Sequence, residues 1–299
     1  MGDMLGLTVP FKQVDVFTFN PYKGNPVAVI NLLDVEESSV SQEKLQAIAT
    51  WTNLSETTFL FKPSENSGAD YKLRILTPVN ELPFAGHPTV GSCQAFIEFT
   101  GSAKKSFKQE CIAGIVPLTV LEDGSIGFQA IRTSLIDLSD NEVESYQAKA
   151  MLGIDLIARP KLLDVGPAWV VLLVKDNKTC YDAEVDYSSL GELSKKFGHC
   201  GIILAGQDPS DEHKYEMRAF APGEGVLEDP VCGSGSVALA RYLQDHFNFN
   251  KSFHFVISQG GRLNRAGRIS VQIEHSSDGA IKYHVSGKAR ALVSGTIAI

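Results

Sequence analysis

The 299-residue chain has no basic excess: 27 Lys and Arg face 35 Asp and Glu, for a formal charge of -8. Nucleic acid is excluded as a partner, because phosphate binding needs a basic footprint, and any anionic ligand must be held by local geometry. No stretch approaches the roughly 20 apolar residues of a membrane span. The N-terminal "MGDMLGLTVPFKQVDVFTF" carries no charged segment ahead of an apolar core, so no membrane partner and a cytoplasmic location are expected. Cysteines number five, an odd count without a C-x-x-C pair, which points to reduced thiols rather than disulfides or structural zinc. The seven histidines are scattered without H-x-x-x-H spacing, so no metal site is expected. A Walker loop is missing, since no Lys-Ser/Thr follows "CGSG", and so is the G-x-S-x-G elbow of serine hydrolases.

What is present is the composition of a globular protein, 43% hydrophobic and 21% charged. Runs rich in Val, Ile, Thr and Phe read as strands: 14–19, 27–31, 57–62, 71–76 and 116–122, then 168–174, 201–206, 215–220 and 254–258. Asp123-Gly124 and Asp278-Gly279 mark tight hairpins. A helix is predicted from about Ser41, with Leu45, Ile48, Ala49 and Thr52 on one face and Ser39-x-x-Gln42 resembling a capping box. The fold class is α+β with mainly hairpin connections.

The chain also repeats itself. "YKLRILTP" at 71–78 matches "YEMRAFAP" at 215–222 with Tyr, Arg and Pro in register. Ala85-Gly86-His87-Pro88 falls opposite Cys232-Gly233-Ser234-Gly235, each before an apolar helical run. "FKQECIAG" (107–114) falls opposite "FHFVISQG" (253–260), and Gly24 opposite Gly166. Four matches in order at a nearly constant offset imply two copies of one unit and hence two pseudo-symmetric domains with a cleft between them. The boundary is expected in the polar, turn-rich stretch 131–146, giving an N-terminal domain 1–130 and a C-terminal domain 131–288.

At both junctions a loop leads into a buried helix. His87 with Pro88 reads as N-cap and first helical residue, and Ser234 as the equivalent cap. Two helix starts opening into a cleft would leave N–H groups and the positive dipole end for a small carboxylate ligand. Gly86, Gly233 and Gly235 would let that ligand approach the backbone. Glu56, Glu81 and Asp229 are the nearby acids, although a solvated surface role is the commoner fate of any one carboxylate. His199-Cys200 carries little weight as a dyad, because sequence neighbours point apart.

"GNPVAV" (24–29), "SETTF" (55–59), "PFAGHPTVG" (83–91) and "EDPVCGSGS" (228–236) together resemble the PhzF-like proteins, the phenazine-biosynthesis isomerase group of the diaminopimelate epimerase fold superfamily. The resemblance covers nearly the whole chain. It implies two domains, each a curled, mostly antiparallel sheet around a central helix, with the last strand (289–299) returning to the first domain and the active site between the domains. It implies a cofactor-independent isomerase in which Glu56 shuttles a proton between two carbons of a small carboxylate substrate. His87 and Asp229 would hold and tautomerise the substrate, Gly86, Gly233 and Ser234 would offer anion contacts, and Asn25 and Cys232 would belong to the binding site. A homodimer is implied as well.

Racemases of the superfamily use two thiols, and here the first position is Ala85 while the second is Cys232. A racemase using Glu56 and Cys232 as unlike bases, with Cys232 activated at a helix start, is one alternative. A non-catalytic small-ligand binding protein is the other.

Overall fold

The computed structural model describes residues 6–151 and 153–299, so the start of the N-terminal stretch read above lies outside the described residues. Two compact units are present: Met1–Ile131 with Ser286–Ile299, and Arg132–Val285.

Unit 1 contains β1 (Thr8–Val16), β2 (Asn25–Asn31), α1 (Gln42–Thr52), β3 (Glu56–Phe61), β4 (Tyr71–Leu76), β5 (Glu81–Leu82), α2 (Gly86–Thr100), β6 (Ser106–Cys111), β7 (Gly114–Val120) and β8 (Ile126–Gln129). Unit 2 contains β9 (Ser134–Asp137), α3 (Asp140–Ser145), β10 (Lys161–Asp164), β11 (Ala168–Val174), α4 (Asn177–Asp182), α5 (Tyr187–Phe197), β12 (Gly201–Asp208), β13 (Asp211–Ala221), β14 (Val226–Asp229), α6 (Gly233–Phe247), β15 (Phe253–Gln259) and β16 (Gly267–His275). β17 (Ile281–Gly287) leads back to β18 (Ala289–Ala298), which lies antiparallel along β1.

Both units are wound in the same order. In unit 1, β1 pairs antiparallel with β2, β2 parallel with β3, β3 antiparallel with β4, β4 parallel with β6, and β6 antiparallel with β7. In unit 2 the pairs β10/β11, β11/β12, β12/β13, β13/β15 and β15/β16 repeat that sequence of directions. The parallel pairs need crossovers rather than hairpins, and the helices supply them: α1 or α4 with α5 for the first, α2 or α6 for the second. Elsewhere sequential strands pair antiparallel, so the connections are mainly of the hairpin type, as expected from the sequence. Periodicity reveals strands but not which ones pair.

α2 packs on β1, β2, β3, β4, β8 and β18, strands from both ends of its unit's sheet, so that sheet curls around it. Its residues from Gly86 to Cys93 are all buried and, apart from His87, small or apolar, which suits that place. Gly91 shows how close the fit is: a Cβ there would lie 2.4 Å from the Val27 side chain. α6 is likewise wrapped by β10, β11, β12 and β16. The outer face of unit 1 is closed by Leu45, Ile48 and Ala49 of α1 against Ile30, Phe59 and Phe61. Each such large side chain contributes about 1.5–3 kcal/mol by leaving water. The cap of α1 is Ser41, whose hydroxyl accepts from the Lys44 N–H, and not the Ser39 box expected from the sequence.

Candidate active site

In unit 1 the site is assembled by two turns and a helix start. Asp15 is buried at the end of β1, and its carboxylate accepts from the Gly24 N–H (2.9 Å) and the Lys23 N–H (3.2 Å). A Cβ at Gly24 would lie 2.2 Å from the Val16 carbonyl oxygen, so only glycine allows this approach. The turn delivers Asn25 to the start of β2. α1 is ended by Asn53 in the left-handed region (φ 54°), and the chain passes through Ser55 into Glu56, the first residue of β3. Glu56 stands opposite Val27 of β2.

α2 begins two residues earlier than expected. Its N-cap is the extended Ala85, so Gly86, His87 and Pro88 are its first three residues, and no side chain caps it. The cap assignment for His87 is corrected by this. Pro88 is tolerated there because any N–H in the first turn lacks an intrahelical acceptor. His87 is freed to point inward. It is 3% exposed, its Nε2 is 3.3 Å from Glu56 Oε2, and its Nδ1 is 3.3 Å from Asn25 Nδ2. Ser55 Oγ donates to Asn25 Oδ1 at 3.3 Å. Burial pushes the His87 imidazole down to about 3, only partly offset by the Pro26 carbonyl. At neutral pH this is a neutral ring, so its 3.3 Å approach to Glu56 is not an ion pair, and no hydrogen bond joins His87 Nε2 to Glu56 Oε2.

In unit 2 the corresponding loop runs from β14 into α6. Asp229, the last residue of β14, pairs with Ala219, and its Oδ1 accepts from the Val231 N–H at 2.9 Å. Burial pushes its carboxyl up to about 6 against that hydrogen bond. The N-cap is Cys232, not Ser234: Cys232 Sγ accepts from the Gly235 N–H at 3.3 Å, and Gly233 and Ser234 are the first two helical residues. Burial and then the nearby Asp229 charge push the Cys232 thiol well up, which favours the packed over the activated reading of this cysteine, both of which the sequence allowed. Burial outweighs the dipole here. Ser234 Oγ accepts from Trp169 Nε1 at 3.1 Å. A Cβ at Gly235 would meet the Ile203 side chain at 2.5 Å.

Several residues that hold these groups escaped the sequence reading. Gln259, at the end of β15, spans the unit 2 loop: its Nε2 donates to the Asp229 carbonyl (2.8 Å) and its Oε1 accepts from the Cys232 N–H (2.9 Å). Ser55 and Trp169 act on Asn25 and Ser234, and nothing in their local sequence signals it. The two repeated arginines are braces. Arg74 makes a two-pronged contact with Glu81 (2.8 and 2.6 Å), and Arg218 with Glu228 (both 2.9 Å), so Glu81 is committed to structure. His199 bonds the Tyr146 hydroxyl through Nδ1 at 2.8 Å and takes no part in a thiol dyad. Among the described residues no group of three or more His, Cys, Asp or Glu is clustered as metal donors.

A twice-repeated α+β unit, each copy wound around a buried helix with a carboxylate near the helix start, is the fold of the epimerase-type isomerases. Within that class the chain belongs to the family described as phenazine biosynthesis-like protein, which matches residues 14–295. It is similar to the protein named antisense-enhancing sequence 1 of Schizosaccharomyces pombe, at 38% identity over 95% of this chain and 97% of that one. It is also similar to the trans-2,3-dihydro-3-hydroxyanthranilate isomerase of Pseudomonas aeruginosa, at 30% identity over 94% and 96%. Among solved structures, a PhzF-family phenazine biosynthesis protein of Bacillus anthracis superposes with a TM-score of 0.82 at 23% identity, covering 98% of this chain and 100% of that one.

Proposed function

We propose that this chain is a cofactor-independent isomerase that moves a proton between carbons of a small carboxylate-bearing substrate, with Glu56 as the shuttle. The observation that carries the reading is the Glu56–His87 contact: a largely buried carboxylate 3.3 Å from a buried ring. The named activity of the Pseudomonas relative supports it.

Such a site suits carbon-acid chemistry. The Glu56 carboxylate takes a proton from one carbon as the C–H electron pair moves into the substrate, holds it as the carboxylic acid, and returns it to a second carbon. No charge is gained or lost over the cycle, and one base is enough because removal and delivery are successive. His87, neutral at ordinary pH, stands beside the carboxylate without bringing a competing proton of its own. Asp229 has the role of holding and tautomerising the substrate, for which a carboxyl near 6 is suited, since it can both give and take a proton near neutral pH. The N–H groups of Gly86, Gly233 and Ser234 at two helix starts are suited to a carboxylate.

The racemase alternative requires Cys232 as a second base. Its thiol is pushed up and already caps its own helix, so it is poorly fitted to remove a proton.

The test is turnover of trans-2,3-dihydro-3-hydroxyanthranilate in deuterated water by the wild type and Glu56→Gln. Isomerisation with deuterium uptake that is lost in the variant is the expected result. Equal uptake by both would overturn Glu56 as the shuttle. If this compound is not turned over, the same exchange assay over small amino and hydroxy acids decides between substrates, and uptake into none of them would favour the binding protein.

A further inference from the structure

We propose that Gln259 is a positioning residue: it straps the loop from Asp229 to Cys232, and so fixes the Asp229 carboxyl and the set of N–H groups that the start of α6 leaves for a ligand. The inference rests on the proposal that these groups meet the substrate carboxylate, and it does not depend on which residue is the carbon base.

The orientation of the Gln259 amide is set by its partners. The Asp229 main-chain carbonyl can only accept and the Cys232 N–H can only donate, so Nε2 faces the first (2.8 Å) and Oε1 the second (2.9 Å). Gln259 is 2% exposed, so both bonds are shielded from water. Two glycines bring the strands close enough for this contact. Gly260 has φ 89°, and a Cβ there would lie 2.4 Å from the Pro230 carbonyl oxygen. A Cβ at Gly267, which faces Gln259 from β16, would lie 2.6 Å from the Val231 side chain. Every residue of the loop is therefore held by the end of β15 or by its partner strand.

Most N–H groups along the loop already have an acceptor. Val231 donates to Asp229 Oδ1, Cys232 to Gln259, Gly235 to Cys232 Sγ and Ser236 to the Cys232 carbonyl, while Pro230 has no N–H. Among the described residues, the N–H groups of Gly233 and Ser234 meet no acceptor. Without Gln259 the Cys232 N–H would join them, and the loop would lose its tie at both ends. Asp229 would move with it. Its charge acts on the Cys232 thiol, so the carboxyl stands beside this helix start.

Unit 1 closes the matching loop by another group. Ala113 falls opposite Gln259 in the repeat, and its main-chain N–H donates to the Pro83 carbonyl at 3.1 Å. An alanine side chain offers no acceptor to the Ala85 N–H. The side-chain strap is thus a feature of the unit that carries Asp229.

The experiment is amide hydrogen exchange and ligand titration of the 15N-labelled full chain, followed by NMR. The probe is 3-hydroxyanthranilate, an aromatic acid with the substituents of the test substrate and no proton to move between carbons. In the wild type the Cys232 amide is expected to be protected, and the probe to shift the Gly233 and Ser234 amides. Gln259→Met keeps the length of the side chain and neither hydrogen bond. It is expected to lower protection of the Cys232 amide about 10- to 100-fold with the β13 amides unchanged, and to weaken the probe about tenfold. Gln259→Glu restores the acceptor alone and is expected to return most of the Cys232 protection. Gln259→Asn, too short to reach both ends of the loop, gives the same reading as Gln259→Met should the methionine variant not fold. Unchanged Cys232 protection in these shortened or apolar variants would overturn the strap. Unchanged probe affinity in a variant that has lost that protection would make Gln259 a structural tie only, and a probe that shifts neither Gly233 nor Ser234 in the wild type would also overturn the proposal. The two readings fail separately: an active Glu56→Gln removes the shuttle and leaves the strap standing, whereas unchanged Cys232 protection removes the strap and leaves the shuttle standing.

Discussion

Unit 1 and unit 2 share a scaffold and differ in every group that can do chemistry. Register makes the correspondence exact at the level of residues. Val27 faces Glu56 in β2/β3, and Trp169 faces Gly201 at the same place in β11/β12. Ile75 faces Leu82 in β4/β5, and Ala219 faces Asp229 in β13/β14. Thus each unit keeps one acid where the other has none. At the helix starts, Ala85 and His87 of α2 correspond to Cys232 and Ser234 of α6. The arginine brace is kept in both. Duplication preserved what holds the loops and let the loops' chemistry diverge.

The strongest part of the contrast is Gly201. A Cβ there would lie 1.9 Å from the Phe220 carbonyl oxygen, so unit 2 has no room for any side chain at the position of Glu56. A second acid matched to Glu56 is therefore excluded at this position of unit 2 by backbone packing. The largest expected effect in the molecule follows: Glu56→Gln should lower proton exchange by about 100- to 10,000-fold, the usual contribution of a general base, with an almost unchanged urea midpoint. A wild-type-like rate would show that the asymmetry between the halves is not catalytic.

The braces sharpen the comparison through stability. Arg218 and Glu228 are each 4% exposed, whereas Arg74 and Glu81 are each 16% exposed. Breaking a buried pair strands the remaining charge, so Arg218→Ala should cost about 3–5 kcal/mol in urea unfolding. Arg74→Ala should cost less, about 1–3 kcal/mol, because water can reach Glu81. Equal losses would mean that the difference in burial has no energetic weight.

Much of this was legible in the sequence, and the limit is physical. The tyrosine, arginine and proline shared by 71–78 and 215–222 announced the repeat, because the same strand must end in the same brace and turn in each copy. The motifs around Glu56, His87 and Asp229 picked out residues that each lie near a helix start of their unit. The helix starts themselves were misplaced by two residues, since glycine at the first position and proline at the third are as acceptable as the usual cap signals. Gln259 was invisible for a different reason. It reaches its loop from 27 residues away in sequence, by strand pairing that no local pattern encodes. The sequence left open whether Cys232 is reactive or only packed, because a dipole argument says nothing of how dry the site is.

Acidification should act on the two units with opposite sign. His87 is depressed from 6.5 to about 3, so between those values the unfolded chain binds a proton that the folded one refuses, and stability falls as pH falls. Asp229 is raised from 3.8 to about 6, so across that range the folded chain keeps a proton that the unfolded one has released, and stability rises as pH falls. The slopes oppose each other between about pH 4 and 6. Asp229→Asn should therefore steepen the loss of stability on acidification in that window, and His87→Gln should flatten or reverse it, as read from urea midpoints of the full chain at pH 4, 5, 6 and 7. Parallel slopes in the two variants would show that these groups do not differ in the way their surroundings imply.

The smallest expected effect concerns Cys232. If its sulfur is a cap rather than a base, Cys232→Ala removes an N-cap contact worth about 1 kcal/mol and leaves exchange activity within a few-fold of wild type. Cys232→Ser, which restores an acceptor to the Gly235 N–H, should recover most of that stability. A base would behave otherwise: Cys232→Ser would lose activity by orders of magnitude while folding normally. Measured beside Glu56→Gln, this pair of variants asks whether the proton-transfer chemistry is confined to one unit. An active Cys232→Ser with an inactive Glu56→Gln would place the sole carbon base in unit 1 and leave α6 to hold the substrate.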